Sequence, residues 1–185
     1  GFLLDAGTNF LRNGLPISAY APIAMENKER VEVLKGVAGL QSGVSAPGGL
    51  VNFVTKAPQR DAFTTVSLGA DGNGGSKVHL DSNSAWGAMG VRVNLAAEDL
   101  HTAFDRADGK REFASVALAT NVAPGTRILA DLEYHHKKQP SVPGLGLLDA
   151  NGDGVADKLP ASYYSRLNIN KQSWYKPFEA TGTNA

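Results

Sequence analysis

Oxygen-bearing side chains crowd into one short run of this chain. Asp149, Asn151, Asp153 and Asp157 fall at relative positions one, three, five and nine, with Gly154 at six and the Val155 carbonyl at seven. That is the spacing of an oxygen-ligand calcium loop, in which alternate side chains and one carbonyl converge on a hard cation. The twelfth position holds Pro160 instead of a bidentate glutamate, and no helix pair flanks the run. A solvated Asp/Asn/Gly turn has the same composition, so both readings stand. Nitrogen ligands are sparser. His135 and His136 are adjacent, and neighbours on a strand point to opposite faces, so the two do not readily share a metal. With Lys137 and Lys138 they suit solvation at the level of lipid headgroups. Gly72 to Gly75 is not followed by a helix that would bind an anion, and reads as a hairpin turn. Trp174, Tyr175 and Phe178 fit an aromatic belt at a membrane interface, or the wall of a ligand site. Serines, carboxylates and histidines show no nucleophile–base spacing of a catalytic motif, and cysteine is absent. The chemistry on offer is binding, and no enzyme is expected.

Those groups need elements to hold them. The 185 residues are 42% hydrophobic with zero net charge, which leaves no electrostatic footprint for nucleic acid. No apolar run approaches the roughly 20 residues of a membrane-spanning helix, and the opening residues lack the basic start of a signal peptide. After Pro58 the apolar period is two. Val66 and Leu68, then Val78 and Leu80, then Val91, Val93 and Leu95, then Val116 and Leu118, then Ile128, Leu132 and Tyr134 alternate with polar residues. Five amphipathic strands of about 9–11 residues suit tilted membrane-barrel strands. A soluble antiparallel sheet with one wet face would alternate in the same way. The connections favour the membrane, since tight turns at 83–87 and 123–126 oppose long polar loops at 99–110 and 137–177.

Ahead of these strands the pattern is different. Residues 29–56, ERVEVLKGVAGLQSGVSAPGGLVNFVTK, read as strand, short helix over 37–42, proline–glycine turn and strand. Residues 10–17 read as strand, Asn13-Gly14 turn and strand, and 24–28 as a short helical turn. Pro58 to Asp61 reads as a boundary. The linked blocks ERVEVLKG, GLQSG and SAPGGLVNFVTK resemble the later part of the plug of TonB-dependent siderophore receptors. Val37 and Ser42 depart from the family's usual proline and tyrosine.

The resemblance implies a mainly β fold. Residues 1–58 would be the C-terminal part of a small α+β plug. Residues 59–185 would be the N-terminal strands, about five, of an incomplete antiparallel transmembrane β-barrel, most of which lies outside this chain. It implies energised uptake of ferric siderophores across the bacterial outer membrane, with the TonB energy-transducing protein and outer-membrane lipid as partners. The TonB-binding segment is not in this chain. No cofactor beyond the transported ferric ligand is implied, calcium at the loop described above aside. A passive channel or adhesin-like barrel, or a receptor for cobalamin, haem or a sugar, is the alternative. The ligand loop would present Ser18, Ala19 and above all Tyr20, with Gln41 and Ser42 beside it. Plug–barrel polar contacts would come from Glu29, Arg30 and Lys35 on the plug and Arg92, Asp131 and Glu133 on the barrel.

Overall fold

The computed structural model describes residues 4–20, 22–35, 48–103, 107–140 and 179–184. The expected helix over 37–42 lies outside them, and strands are the regular elements of the described part of the small unit. Four short strands form it: β1 (Phe10–Arg12), β2 (Leu15–Pro16), β3 (Lys28–Leu34) and β4 (Leu50–Thr55), in the order β2-β1-β4-β3. β1 runs parallel to β4, and the other pairs are antiparallel. Asn13 and Gly14 turn β1 into β2 with positive φ values of 51° and 82°, the backbone that Asn-Gly adopts at least cost. Phe10 stacks on Phe53 with ring centroids 6.4 Å apart, and buried Leu11 and Leu50 complete this modest apolar centre.

The helical turn expected over 24–28 is instead a single reversal. The Lys28 amide donates to the Met25 carbonyl at 3.1 Å, and the Asn27 carbonyl accepts from the Lys56 amide at 2.8 Å. That second bond commits Asn27 to a strand-like pairing, so no helix can propagate.

The second unit is one antiparallel sheet in next-neighbour order. β5 (Phe63–Ala70), β6 (Ser76–Trp86), β7 (Met89–Leu100), β8 (Gly109–Ala123) and β9 (Thr126–Pro140) are joined at the far edge by β10 (Glu179–Asn184). The five expected strands are present, and β10 is a sixth. β5 at 8 residues falls short of the expected range and β6 at 11 lies within it, while the 12, 15 and 15 residues of β7, β8 and β9 run past it. The first tight turn is narrower than 83–87: Asn83 to Trp86 still pair, and only Gly87 and Ala88 reverse the chain. The second comes down to Pro124 and Gly125. Likewise Lys137 and Lys138 lie inside β9, paired with Arg111 and Lys110, and not in a loop. Backbone pairing does not require apolar side chains, so the strands outlast their alternation.

The two faces of this sheet invert the arrangement of a soluble protein. Leu68 and Leu132 are 81% and 76% exposed, whereas Asn94 and Arg92 are 2% and 7% exposed. Val66, Leu118 and Ile128 share the open apolar face, and Asp81, Asn83, Ser115 and His135 share the covered polar one. A wet-faced soluble sheet would bury the other set. A sheet whose apolar side meets lipid buries this one.

Candidate functional site

The covered polar face is where the small sheet sits, and charged side chains join the two. Three clusters follow one another along the wall. Toward the end with the longer connections, Glu26 is the acid of the small unit, and it meets two bases of the wall. Lys77 Nζ lies 2.6 Å from it, and the Arg111 guanidinium forms a two-nitrogen contact with it. Arg111 is held in place by Glu98 at 2.8 Å. Burial pushes the Glu26 carboxyl up, but hydrogen bonds from Arg111 and Lys77 outweigh it and hold the group well below the usual carboxylate range.

In the second cluster the signs are exchanged. Arg12 and Lys28 of the small sheet meet Asp131 and Glu133 of β9. Arg12 reaches Asp131 at 2.6 Å and Glu133 at 3.3 Å, and Lys28 reaches Glu133 at 2.8 Å. The Asn27 amide adds a 2.8 Å bond to the same Glu133 oxygen. The Lys28 side chain is 1% exposed, and burial lowers its pKa even against the pull of Glu133. A bulge at Glu29 allows this, because Lys28 pairs with Thr55 and Arg30 with Val54, leaving Glu29 as the extra residue.

The third cluster lies where the small unit runs into the large sheet. Lys56 Nζ is 2.7 Å from Asp81, which Arg92 also clamps through two bonds of 2.9 and 2.8 Å. His79 and Lys56 share the Asn94 amide oxygen at 3.2 and 3.3 Å. Arg92 in turn lies over the Phe63 ring, 5.1 Å from its centroid.

Of the residues expected at such contacts, Asp131 and Glu133 bridge directly to the small sheet. Arg92 bridges through the Ala57 carbonyl at 3.3 Å. Glu29, Arg30 and Lys35 are exposed, and among the described residues Arg30 pairs along its own strand with Glu32 at 2.8 Å. The Glu32 carboxyl is held below its usual range by Asn52 and then by Arg30. The partners that sequence reasoning missed are Arg12, Glu26, Lys28, Lys56, Lys77 and Arg111. Acids on an otherwise covered strand face demand counter-charges, and that requirement pointed to bases on the small unit.

His135 corrects another expectation. It is not solvated but is 3% exposed on the covered face, with Nδ1 at 3.2 Å from the Pro22 carbonyl and its ring edge-on to Phe113. Pro22 continues the segment bearing Ser18, Ala19 and Tyr20. Ser18 is exposed, Ala19 half-buried and Tyr20 80% exposed in this chain. The tie through Pro22 sets this segment toward the end with the longer connections. Gln41 and Ser42, the loop Asp149, Asn151, Asp153 and Asp157, and the aromatics Trp174, Tyr175 and Phe178 lie outside the described residues.

Residues 1–50 match the TonB-dependent Receptor Plug Domain. The chain is 36% identical over 114 residues to the metal-pseudopaline receptor CntO of Pseudomonas aeruginosa, covering 60% of this chain and 16% of that protein. It is 34% identical over 122 residues to the catecholate siderophore receptor Fiu of Escherichia coli, covering 65% and 16%. The crystal structure of Fiu in its open form aligns with a TM-score of 0.66 at 28% identity, over 77% of this chain and 22% of that one. The ferripyoverdine receptor of the Pseudomonas aeruginosa outer membrane aligns with a TM-score of 0.70 at 25% identity, over 83% and 22%. The chain thus spans about a sixth of the length of the curated relatives it matches.

Proposed function

We propose that this chain is part of a TonB-dependent receptor, as the plug match over residues 1–50 and the relatives support, and that the whole protein imports a ferric siderophore across the bacterial outer membrane. The observation that carries this reading is the inverted sheet. An apolar face turned outward and a polar face closed by the plug are what a plugged membrane barrel requires. A barrel of about 22 strands is wide enough to leak unless it is filled. The fill must also be displaceable, and a polar interface of ion pairs meets that need, because water and new partners can replace each bond. The relatives CntO and Fiu are named as receptors for metal-pseudopaline and catecholate siderophores, which supports a chelated metal as cargo.

In this reading Tyr20, with Ser18 and Ala19, meets the ligand at the outward apex, and Gln41 and Ser42 lie beside them. Tyr20 offers an aromatic face and a hydroxyl to a ferric chelate. TonB would supply the pull from the opposite side. Calcium at residues 149–157 would brace an outer loop.

The test is uptake of radioactive iron by cells bearing the full-length receptor as their sole one, supplied in turn as ferric catecholate and ferric pyoverdine-type chelates. Energised uptake of one of them is expected. Uptake that persists after the proton-motive force is collapsed would mark a passive channel instead. Tyr20→Ala should weaken chelate binding by about 1–3 kcal/mol, the range of an aromatic hot spot, with normal membrane insertion. Unchanged affinity would remove Tyr20 from the site.

A further inference from the structure

One row of residues crosses the covered face of the wall in unbroken register. Lys77 pairs with Glu98, Glu98 with Arg111, and Arg111 with Lys137. The row therefore holds three bases and one acid. Arg111 and Lys137 stand directly opposite each other, an arrangement that costs energy unless an anion lies between them. Glu98 is committed to Arg111 at 2.8 Å. Further relief comes from Glu26 of the small unit, which reaches Lys77 and Arg111. No carboxylate among the described residues pairs with half-buried Lys137. Beyond the bases the row continues as glycine on both sides, Gly69 beside Lys77 and Gly182 beside Lys137, and glycine brings no side chain to crowd the two lysines.

We infer that this row is an anion site and that Glu26 occupies it in place of the ligand. A negatively charged ferric chelate is drawn to Lys137 and Arg111 and displaces the Glu26 carboxylate, so that the cargo itself loosens the plug. The inference rests on the import reading above and deepens it, because it names an anionic chelate as the cargo.

Position and charge carry the argument. Lys137 lies two residues beyond His135 on the same face of β9, and His135 holds the Pro22 carbonyl at 3.2 Å. The segment bearing Tyr20 and the row of charges thus meet at one end of the wall. Without Glu26 the row offers an arriving ligand Lys77, Arg111 and Lys137 against the lone acid Glu98. Deeper along β9, Asp131 and Glu133 would repel the same ligand. One carboxylate reaches Lys77 and Arg111 and leaves Lys137 aside, whereas a multiply charged chelate can meet all three. The exchange also has a mechanical outcome. Glu26 is 6% exposed, and stripped of Arg111 and Lys77 it is a buried charge without a partner, which must move to water. Asn27 and Lys28 follow it directly in the chain, and both hold Glu133, so its departure pulls on the second cluster.

The experiment measures binding of two chelates to purified full-length receptor in detergent, by equilibrium dialysis with radioactive iron. One is ferric tris-catecholate, which is anionic, and the other an uncharged ferric trihydroxamate. Lys137→Met should weaken catecholate binding about fivefold or more. Glu26→Gln should tighten it about threefold or more, since the built-in competitor is gone. Removing a residue that only supports the fold would not improve binding. Neither variant should move the trihydroxamate by as much as about twofold. Unchanged or weaker catecholate binding in a Glu26→Gln receptor that retains its plug would overturn the inference. If that variant sheds its plug, Lys137→Met decides, and unchanged catecholate affinity there overturns the inference equally. So does a parent receptor that binds the trihydroxamate alone. A parent that binds neither chelate puts the fault with the proposed cargo, and a second measurement then decides. Pyrophosphate, compared with chloride at equal ionic strength, should ease denaturant-induced release of the plug in the parent and not in Lys137→Met. Equal release of the parent's plug in the two salts, or the same easing in the variant, would overturn the inference.

Discussion

The two sheets of this chain solve opposite problems. The large sheet has long strands in simple order and a covered face made of Asp81, Asn94, Arg92 and Ser115. The small sheet has strands of two to seven residues, mixes parallel and antiparallel pairing, and buries little beyond Leu11, Leu50 and Phe53. One is built to be permanent in lipid, and the other is kept in position largely by charges on its neighbour. The contrast teaches that burial here is not a matter of hydrophobicity. The same strand, β9, presents Leu132 to the outside at 76% exposure and Glu133 to the interior, where its side chain is 11% exposed.

Substitutions on adjacent residues of β9 test that division most directly. Glu133→Ala should have the largest effect, because it leaves Lys28 buried and short of its main counter-charge. Breaking such a pair costs about 3–5 kcal/mol. The measurement is denaturant-induced release of the plug from full-length receptor in detergent, and barrel assembly should remain intact. Leu132→Arg should cost about 2–4 kcal/mol if the residue lies near the middle of the bilayer, and here insertion of the barrel is what fails. Two variants that disrupted the same step would erase the distinction between the faces.

Acid should loosen the hold on the small sheet. The Glu26 carboxyl sits below its ordinary value of 4.5 in the folded protein. Its contribution is therefore complete above that pH and declines as pH falls below it, by at most about 1.4 kcal/mol per pH unit for one proton. Plug release should ease between about pH 4.5 and pH 3, and Glu26→Gln should flatten that part of the profile. An unchanged slope in the variant would transfer the effect to other carboxylates. The smallest effect is expected at Arg30→Ala, whose exposed pair with Glu32 is worth less than about 1 kcal/mol. A loss as large as that of Glu133→Ala would mean that β3 meets the wall after all.

What the sequence disclosed follows the same division. β5 to β9 were legible because lipid imposes an apolar residue at every second position over several turns of the pleat. Their ends were not, since Ser84, Lys137 and Gln139 continue the pairing with no apolar signal. β10, with the sequence EATGTN, lacks alternation altogether and is specified by the free edge of β9. In the small sheet, period was of little use, and the linked motif blocks and the Asn13-Gly14 turn gave the strands away. The contacts to the wall were half legible. Asp131 and Glu133 were recognisable as inward acids from the parity of β9, but the parity of β3 did not announce Lys28. One inserted residue at Glu29 delivers Lys28 to the wall, and no local pattern announces a bulge.

The exchange of signs between the first two clusters has a consequence for biogenesis. With Glu26 facing Lys77 and Arg111, and Arg12 and Lys28 facing Asp131 and Glu133, the wall carries a charge sequence that the seated plug complements. A plug seated too deep or rotated sets Glu26 against Glu133, or Lys28 against Arg111, and confines like charges where little water can screen them. The wall thereby proofreads its own stopper: a misplaced plug is expelled by repulsion, and the correct one is accepted because every ion finds its opposite.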